Sequence, residues 1–165
     1  PMLLRGKKKI RGQRRILPAQ ADARSLPLPD ACVDHVLIAF GIRNIMPRSA
    51  AYSEILRVLS PGGRLSILEF GSAQKQICKG LYNFYLQYFL PGIGKIFSGD
   101  ARAYTYLASS IRSFPDTRIL SRELIDHGFS LVAHQPLCFG IVNLHWAKKA
   151  DKGSVAGDKD KHKTE

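Results

Sequence analysis

VDHVLIAFGI, from Val33 to Ile42, is apolar almost without interruption. Such a run is too continuous for a strand with one wet face, so it is expected to be a central strand covered on both faces. Downstream, Ala51, Ile55, Val58 and Leu59 recur at i, i+4, i+7 and i+8, one face of a helix. Ser60-Pro61-Gly62-Gly63 should stop that helix, because proline cannot continue it and the glycines permit a reversal. Leu65 to Phe70 reads as a second buried strand, and Ile16 to Asp22 as a short strand ahead of both. Further helices are expected over Gln74 to Phe97 (punctuated at Pro91-Gly92), Ala101 to Ser113, and Leu120 to His127, with Gly128 in the C-cap position. Ser130 to Leu137 and Gly140 to Lys148, joined by a very short connection, should close the chain as an antiparallel hairpin. This alternation predicts an α/β sheet, mostly parallel, with one antiparallel strand.

Composition narrows the picture. A chain of 165 residues that is 45% hydrophobic suits one domain with a sizeable core. That domain should end near Lys149, and the polar, nearly neutral stretch 150–165 reads as a disordered tail. No internal repeat is visible, and no apolar run reaches the roughly 18 residues of a membrane-spanning helix. Cys32, Cys78 and Cys138 are odd in number and widely spaced, which fits neither a disulfide framework nor a metal cluster. His35, His127, His134 and His145 share no ligand spacing, so no metal is assigned.

Charge is unevenly spread. Arg5, Lys7, Lys8, Lys9, Arg11, Arg14 and Arg15 put seven of the net twelve positive charges into the first fifteen residues. With no apolar region behind it, this run is not a secretory signal. It reads as the solvated face of a helix, or as a surface for an anionic membrane. Nucleic acid is not expected, because no aromatic residue interleaves the charges.

Five stretches carry a family likeness: DARSLPLPD, VDHVLIAFGIRN, EILRVLSPGGRLSILEF, GDARAYTYLASSIRSFPD and GIVNLH. In this order and spacing they resemble the ubiquinone/menaquinone biosynthesis C-methyltransferases over about Met2 to Lys148. The resemblance implies a class I S-adenosylmethionine-dependent methyltransferase fold, Rossmann-like, with spatial strand order 3-2-1-4-5-7-6. Strands three to seven are expected here. The family's first two strands and its glycine-rich cofactor loop have no counterpart, so the chain reads as an incomplete domain over 1–149. Residues 1–15 would then be a basic helix remnant.

By the same resemblance, Asp22 and Ala23 flank the adenine of S-adenosylmethionine and Ala39 contacts the cofactor. From pattern alone Asp22 equally begins a turn. Arg43 and Asn44, at the end of the apolar strand, are expected to be catalytic, the guanidinium stabilising a developing phenolate and the amide fixing a ring oxygen. The alternative for Arg43 is an ion pair with Glu69, and the two roles are compatible. Tyr104 and Tyr106 are expected to close over the substrate, and the aromatic stretch Leu81 to Phe97 to serve as core or as a cover over a lipophilic pocket.

The implied reaction is C-methylation of a polyprenyl quinol, either demethylmenaquinol or 2-methoxy-6-polyprenyl-1,4-benzoquinol. The chain by itself is not expected to bind the cofactor. The implied location is cytoplasmic with peripheral membrane contact, or the matrix face of the mitochondrial inner membrane, and self-association is a further expectation. The rival reading is a non-catalytic binding or assembly module that acts through its basic N-terminus or an open sheet edge.

Overall fold

The computed structural model describes residues 2–13, 15–71, 106–107, 109–111 and 113–151. The expected helix at 74–97 with its aromatics, Tyr104, Cys78, most of the expected helix at 101–113, and the tail beyond Asp151 lie outside the described residues. Helix α1 covers Met2–Lys9. Strand β1 (Val33–Ala39) leads through a 3-10 turn (Ile42–Asn44) to helix α2 (Arg48–Val58) and strand β2 (Leu59–Phe70). Helix α3 (Thr117–Asp126), strand β3 (Phe129–Leu137) and strand β4 (Val142–Lys149) complete the described elements.

The sheet order is β1-β2-β4-β3. β1 and β2 are parallel, and β4 runs antiparallel to both of its neighbours. This is the 4-5-7-6 half of the expected order, with the single antiparallel strand where it was predicted. The final hairpin has its short connection in a second 3-10 turn, Cys138–Gly140.

α2 and α3 cover one face of the sheet. Ala51, Tyr52, Ile55 and Val58 of α2 are buried, as their spacing required. Tyr52 and Ile55 join Leu65 and Ile67 of β2 in the core, with Leu120 and Leu124 of α3 and Phe129 closing it. Local chemistry sets the ends of α3. The Asp116 carboxylate accepts the backbone N–H groups of Arg118 and Ile119, each at 2.9 Å, satisfying two donors that the helix leaves open. After the C-cap, Gly128 adopts φ +94°, a left-handed conformation that glycine enters without a Cβ clash.

Three expectations need correction. Ile16 to Asp22 is not a strand: it forms no ladder with any described strand, and its only bridge is the local Asp22–Ser25 pair. A strand exists only through its partner, so β-leaning composition was not enough here. β1 ends the described sheet, as its unpaired inner edge was expected to, but among the described residues only one of its faces is covered. Val36 and Ile38 pack on the core, but Leu37 on the opposite face is 69% exposed and no described helix covers it. Finally, Ser60-Pro61-Gly62-Gly63 does not separate helix from strand. α2 stops at Val58 and the four residues sit within β2, where pairing with β1 jumps from Val33–Leu59 to His35–Arg64. The reversal is absorbed as a bulge in the ladder.

Candidate active site

Wholly buried Ile42 anchors the turn after β1 in the core, which places Arg43 and Asn44 at the carboxyl end of the strand. The Arg43 Nη1 donates to Glu69 Oε1 at 2.6 Å and to the Phe40 carbonyl at 2.8 Å. Glu69 Oε1 also accepts the N–H of Phe70 at 3.0 Å. The side chains of Arg43 and Glu69 are only 10% and 1% exposed, so each charge depends on the other. The guanidinium lies 5.5 Å from the Phe70 ring, itself 4.7 Å from Phe40.

The described residues thus fix one edge of the guanidinium. Nε is buried without a hydrogen-bond partner among the described residues, and no hydrogen bond there uses Nη2. Nε and Nη2 form the side-on fork by which arginine grips an oxyanion.

Beside Arg43 lies a cavity of about 430 Å³, lined also by Met46, Arg48, Tyr106 and Phe114. Tyr106 donates its phenol to Asn44 Oδ1 at 3.0 Å, which leaves the Asn44 amide N–H groups for another partner. Ser109, Ser110 and Ser113 also line the cavity. Each donates its hydroxyl to a backbone carbonyl three residues back, so their oxygens remain available as acceptors. The lining therefore combines apolar walls with hydroxyl oxygens and two guanidinium groups.

A second network braces this wall. Arg48 grips Glu123 with two bonds, at 2.9 and 2.6 Å, and the Tyr52 phenol donates to the same carboxylate at 3.0 Å. Arg48 holds the Glu123 carboxyl below the usual range, while burial and the neighbouring carboxylate push the Tyr52 phenol up. Arg48 also sits 5.6 Å over Phe114, joining α2, α3 and the cavity wall. Sequence reasoning missed these residues because Arg48 and Glu123 are 75 positions apart and carry no local signal.

The turn expected of Asp22 is present. Its Oδ1 accepts the Arg24 N–H at 2.9 Å, and its main-chain carbonyl accepts Ser25 N–H at 3.0 Å. The Arg24 fork closes on the carboxylate at 2.7 to 3.2 Å and holds it down to about 2, so Asp22 is ionised and exposed. Arg24 also donates to the Met46 carbonyl at 2.7 Å, tying this turn to the segment that lines the cavity. Ala23 is half-buried in the same turn, and Ala39 is exposed at the end of β1. The structure thus brings Arg43, Asn44 and Tyr106 together directly, and Asp22 through Arg24. A second depression, of about 520 Å³ between His35 and Trp146, holds none of the expected site residues.

The sheet with its helices has the class I methyltransferase, Rossmann-like fold. A methyltransferase of Aquifex aeolicus superposes with a TM-score of 0.60 at 15% identity, covering 89% of this chain and 63% of that one. A phosphoethanolamine N-methyltransferase of Haemonchus contortus, solved with S-adenosylhomocysteine, gives a TM-score of 0.60 at 13% identity over 87% of this chain and 40% of that one. Residues 1–149 match the ubiE/COQ5 methyltransferase family, and the chain belongs to it. It is 42% identical over 145 residues to the ubiquinone/menaquinone biosynthesis C-methyltransferase of Neisseria meningitidis serogroup A, covering 87% of this chain and 59% of that protein. With the Pseudomonas putida enzyme of the same name it shares 44% over 126 residues, or 76% and 49% of the two chains. The chain therefore spans between half and three-fifths of the length of these curated relatives.

Proposed function

We propose that the protein acts in S-adenosylmethionine-dependent C-methylation of a polyprenyl quinol; its relatives are named C-methyltransferases of ubiquinone/menaquinone biosynthesis. The observation that carries this reading is the placement of Arg43: Glu69 fixes one edge of its guanidinium, and the residue lines a partly apolar cavity with the dimensions of a small-molecule site.

The residues present fit part of the cofactor. Ala39 leaves the carboxyl end of β1 open, the edge at which ligands bind in α/β sheets. Ionised Asp22 is an acceptor for an adenine amine that shares the carboxylate with Arg24. The cofactor, when bound, supplies an electrophilic sulfonium methyl.

The chain's own residues act on the other reactant. The guanidinium of Arg43 stabilises a quinol oxygen as its proton leaves to solvent water, which directs electron density onto the ring carbon. Arginine stays protonated and is not the base, so the ring hydrogen that the methyl replaces also leaves to water as a proton when the ring regains its aromaticity. The Asn44 amide, oriented by Tyr106, donates to the ring and fixes its angle, because transfer needs a near in-line approach at roughly 3–3.5 Å. Demethylmenaquinol and the methoxy-benzoquinol both present two ring hydroxyls to this set, and the second adds a methoxy oxygen.

The test is transfer of labelled methyl to each reduced quinone by this chain joined to the portion of the Neisseria relative that the match leaves uncovered. Turnover is expected, falling by two orders of magnitude or more in Arg43→Lys, roughly the loss of one oxyanion donor. Undiminished turnover in that variant overturns the role of Arg43, and no transfer to either quinol overturns the activity.

A further inference from the structure

Two arginines border the cavity, and they are built alike. Arg43 lies in the turn after β1, and Arg48 opens α2. Each is held by a carboxylate from a different element, Glu69 of β2 for the first and Glu123 of α3 for the second. Each also lies over one aromatic ring, Phe70 at 5.5 Å and Phe114 at 5.6 Å. The link between the two is tied down in turn, since the Met46 carbonyl accepts Arg24 Nη1 at 2.7 Å. Glu123 takes Nε and Nη2 of Arg48, its side-on edge, at 2.9 and 2.6 Å. The third nitrogen, Nη1, has the Met46 sulfur at 3.8 Å as its partner among the described residues, and a thioether is a weak acceptor. An oxygen of a bound ring is a better one.

We propose that Arg48 is a second substrate-binding arginine, donating Nη1 to the quinol oxygen on the far side of the ring from the one that Arg43 meets. The inference deepens the proposed function and rests on it. A quinol carries its two hydroxyls on opposite sides of one ring. Two fixed donors on the wall of one cavity therefore hold both ends and stop the ring turning in its own plane, which keeps the reacting carbon in line with the methyl. Glu123 is a positioning residue in this arrangement. It fixes the Arg48 guanidinium before the ring arrives, so little side-chain freedom is lost on binding.

Equilibrium binding of two probes to the full chain tests it, in oxygen-free buffer with a reductant. The probes are 1,4-naphthalenediol and 1-naphthol, which share the ring and differ by one hydroxyl. The wild type is expected to favour the diol by about ten-fold or more, the worth of one hydrogen bond to a charged group. Arg48→Met combined with Glu123→Gln removes the guanidinium without stranding a charge, and Tyr52 keeps an acceptor. In that variant the preference should vanish while 1-naphthol binds as before. Glu123→Gln alone keeps Arg48 but loosens it, and should weaken the diol only. A purely structural brace would instead weaken both probes alike. Equal affinities in the wild type, a preference that survives the paired replacement, a parallel loss of both probes, or no binding of either overturns the proposal. Because no methyl transfer is read, a chain that fails to methylate yet loses its diol preference with Arg48 rejects the reaction and keeps this binding role.

Discussion

The Glu69 carboxylate, almost wholly buried near the end of β2, accepts Arg43 Nη1 at 2.6 Å and so joins the turn after β1 to the neighbouring strand. One contact thereby serves both the fold and the candidate site. Glu69→Ala should destabilise the protein by about 3–5 kcal/mol, because it leaves a buried guanidinium unpaired. Glu69→Gln keeps an acceptor and should cost less than half of that. Urea denaturation of the two variants measures the difference, and equal losses would show that packing rather than charge holds the pair.

Arg48, Glu123 and Tyr52 form the brace behind the cavity. Tyr52→Phe removes one hydrogen bond to a charged acceptor and should cost about 1.5–3 kcal/mol. In an Arg48→Ala background the same change should cost a different amount, since both groups share one carboxylate. A double-mutant cycle by thermal or chemical unfolding reads the coupling, and strict additivity would mean that the two contacts act separately.

The parts of this architecture written in the sequence are those with local or periodic signals. The buried face of α2, the end of α3 at Gly128 and the closing hairpin follow from spacing and turn chemistry. The antiparallel strand follows from the hairpin's short connection. Arg43 was marked by its position after an apolar strand, and Glu69 by the equivalent place on the next strand. By contrast, the Arg48–Glu123 brace depends on two helices meeting, which nothing local encodes. The expected strand at Ile16 to Asp22 failed for a related reason, because a strand is a property of a pair and no described strand lies beside it. The exposure of Leu37 has the same origin, since burial of an apolar run depends on what packs over it.

Gly71 follows β2 directly, with its N–H bonded to the Ile141 carbonyl at 2.9 Å. A Cβ there would collide with Asn143 Nδ2 and stand 3.3 Å from the Gly140 carbonyl. Gly71→Ala should therefore cost about 1–3 kcal/mol by overpacking. Buried Asn143 Oδ1 has no hydrogen-bond partner among the described residues. Asn143→Ala should then relieve the Gly71→Ala variant. Calorimetric melting of the two single variants and the double variant decides it, and a double variant as unstable as the sum of both would refute the collision.

His145 is buried on β4 between Ile67 of β2 and His134 of β3, with the two imidazoles 5.5 Å apart. Burial first, and the neighbouring His134 second, pull it from 6.5 down to about 4. The folded protein thus keeps His145 neutral where the unfolded chain would protonate it. Between pH 6.5 and 4 the unfolded state binds more protons, so stability rises with pH through this window and falls as acid is added. A displacement of this size corresponds to about 3 kcal/mol, present in full above the window and gone below it. The depressed carboxylates of Asp22 and Glu54 act lower, since their ordinary values are 3.8 and 4.5. Urea midpoints should accordingly drop between pH 7 and pH 5 in the wild type. Replacing His145 by Phe keeps a ring in the slot, removes the titrating group and should flatten that slope, and a slope unchanged in His145→Phe would assign the acid sensitivity elsewhere.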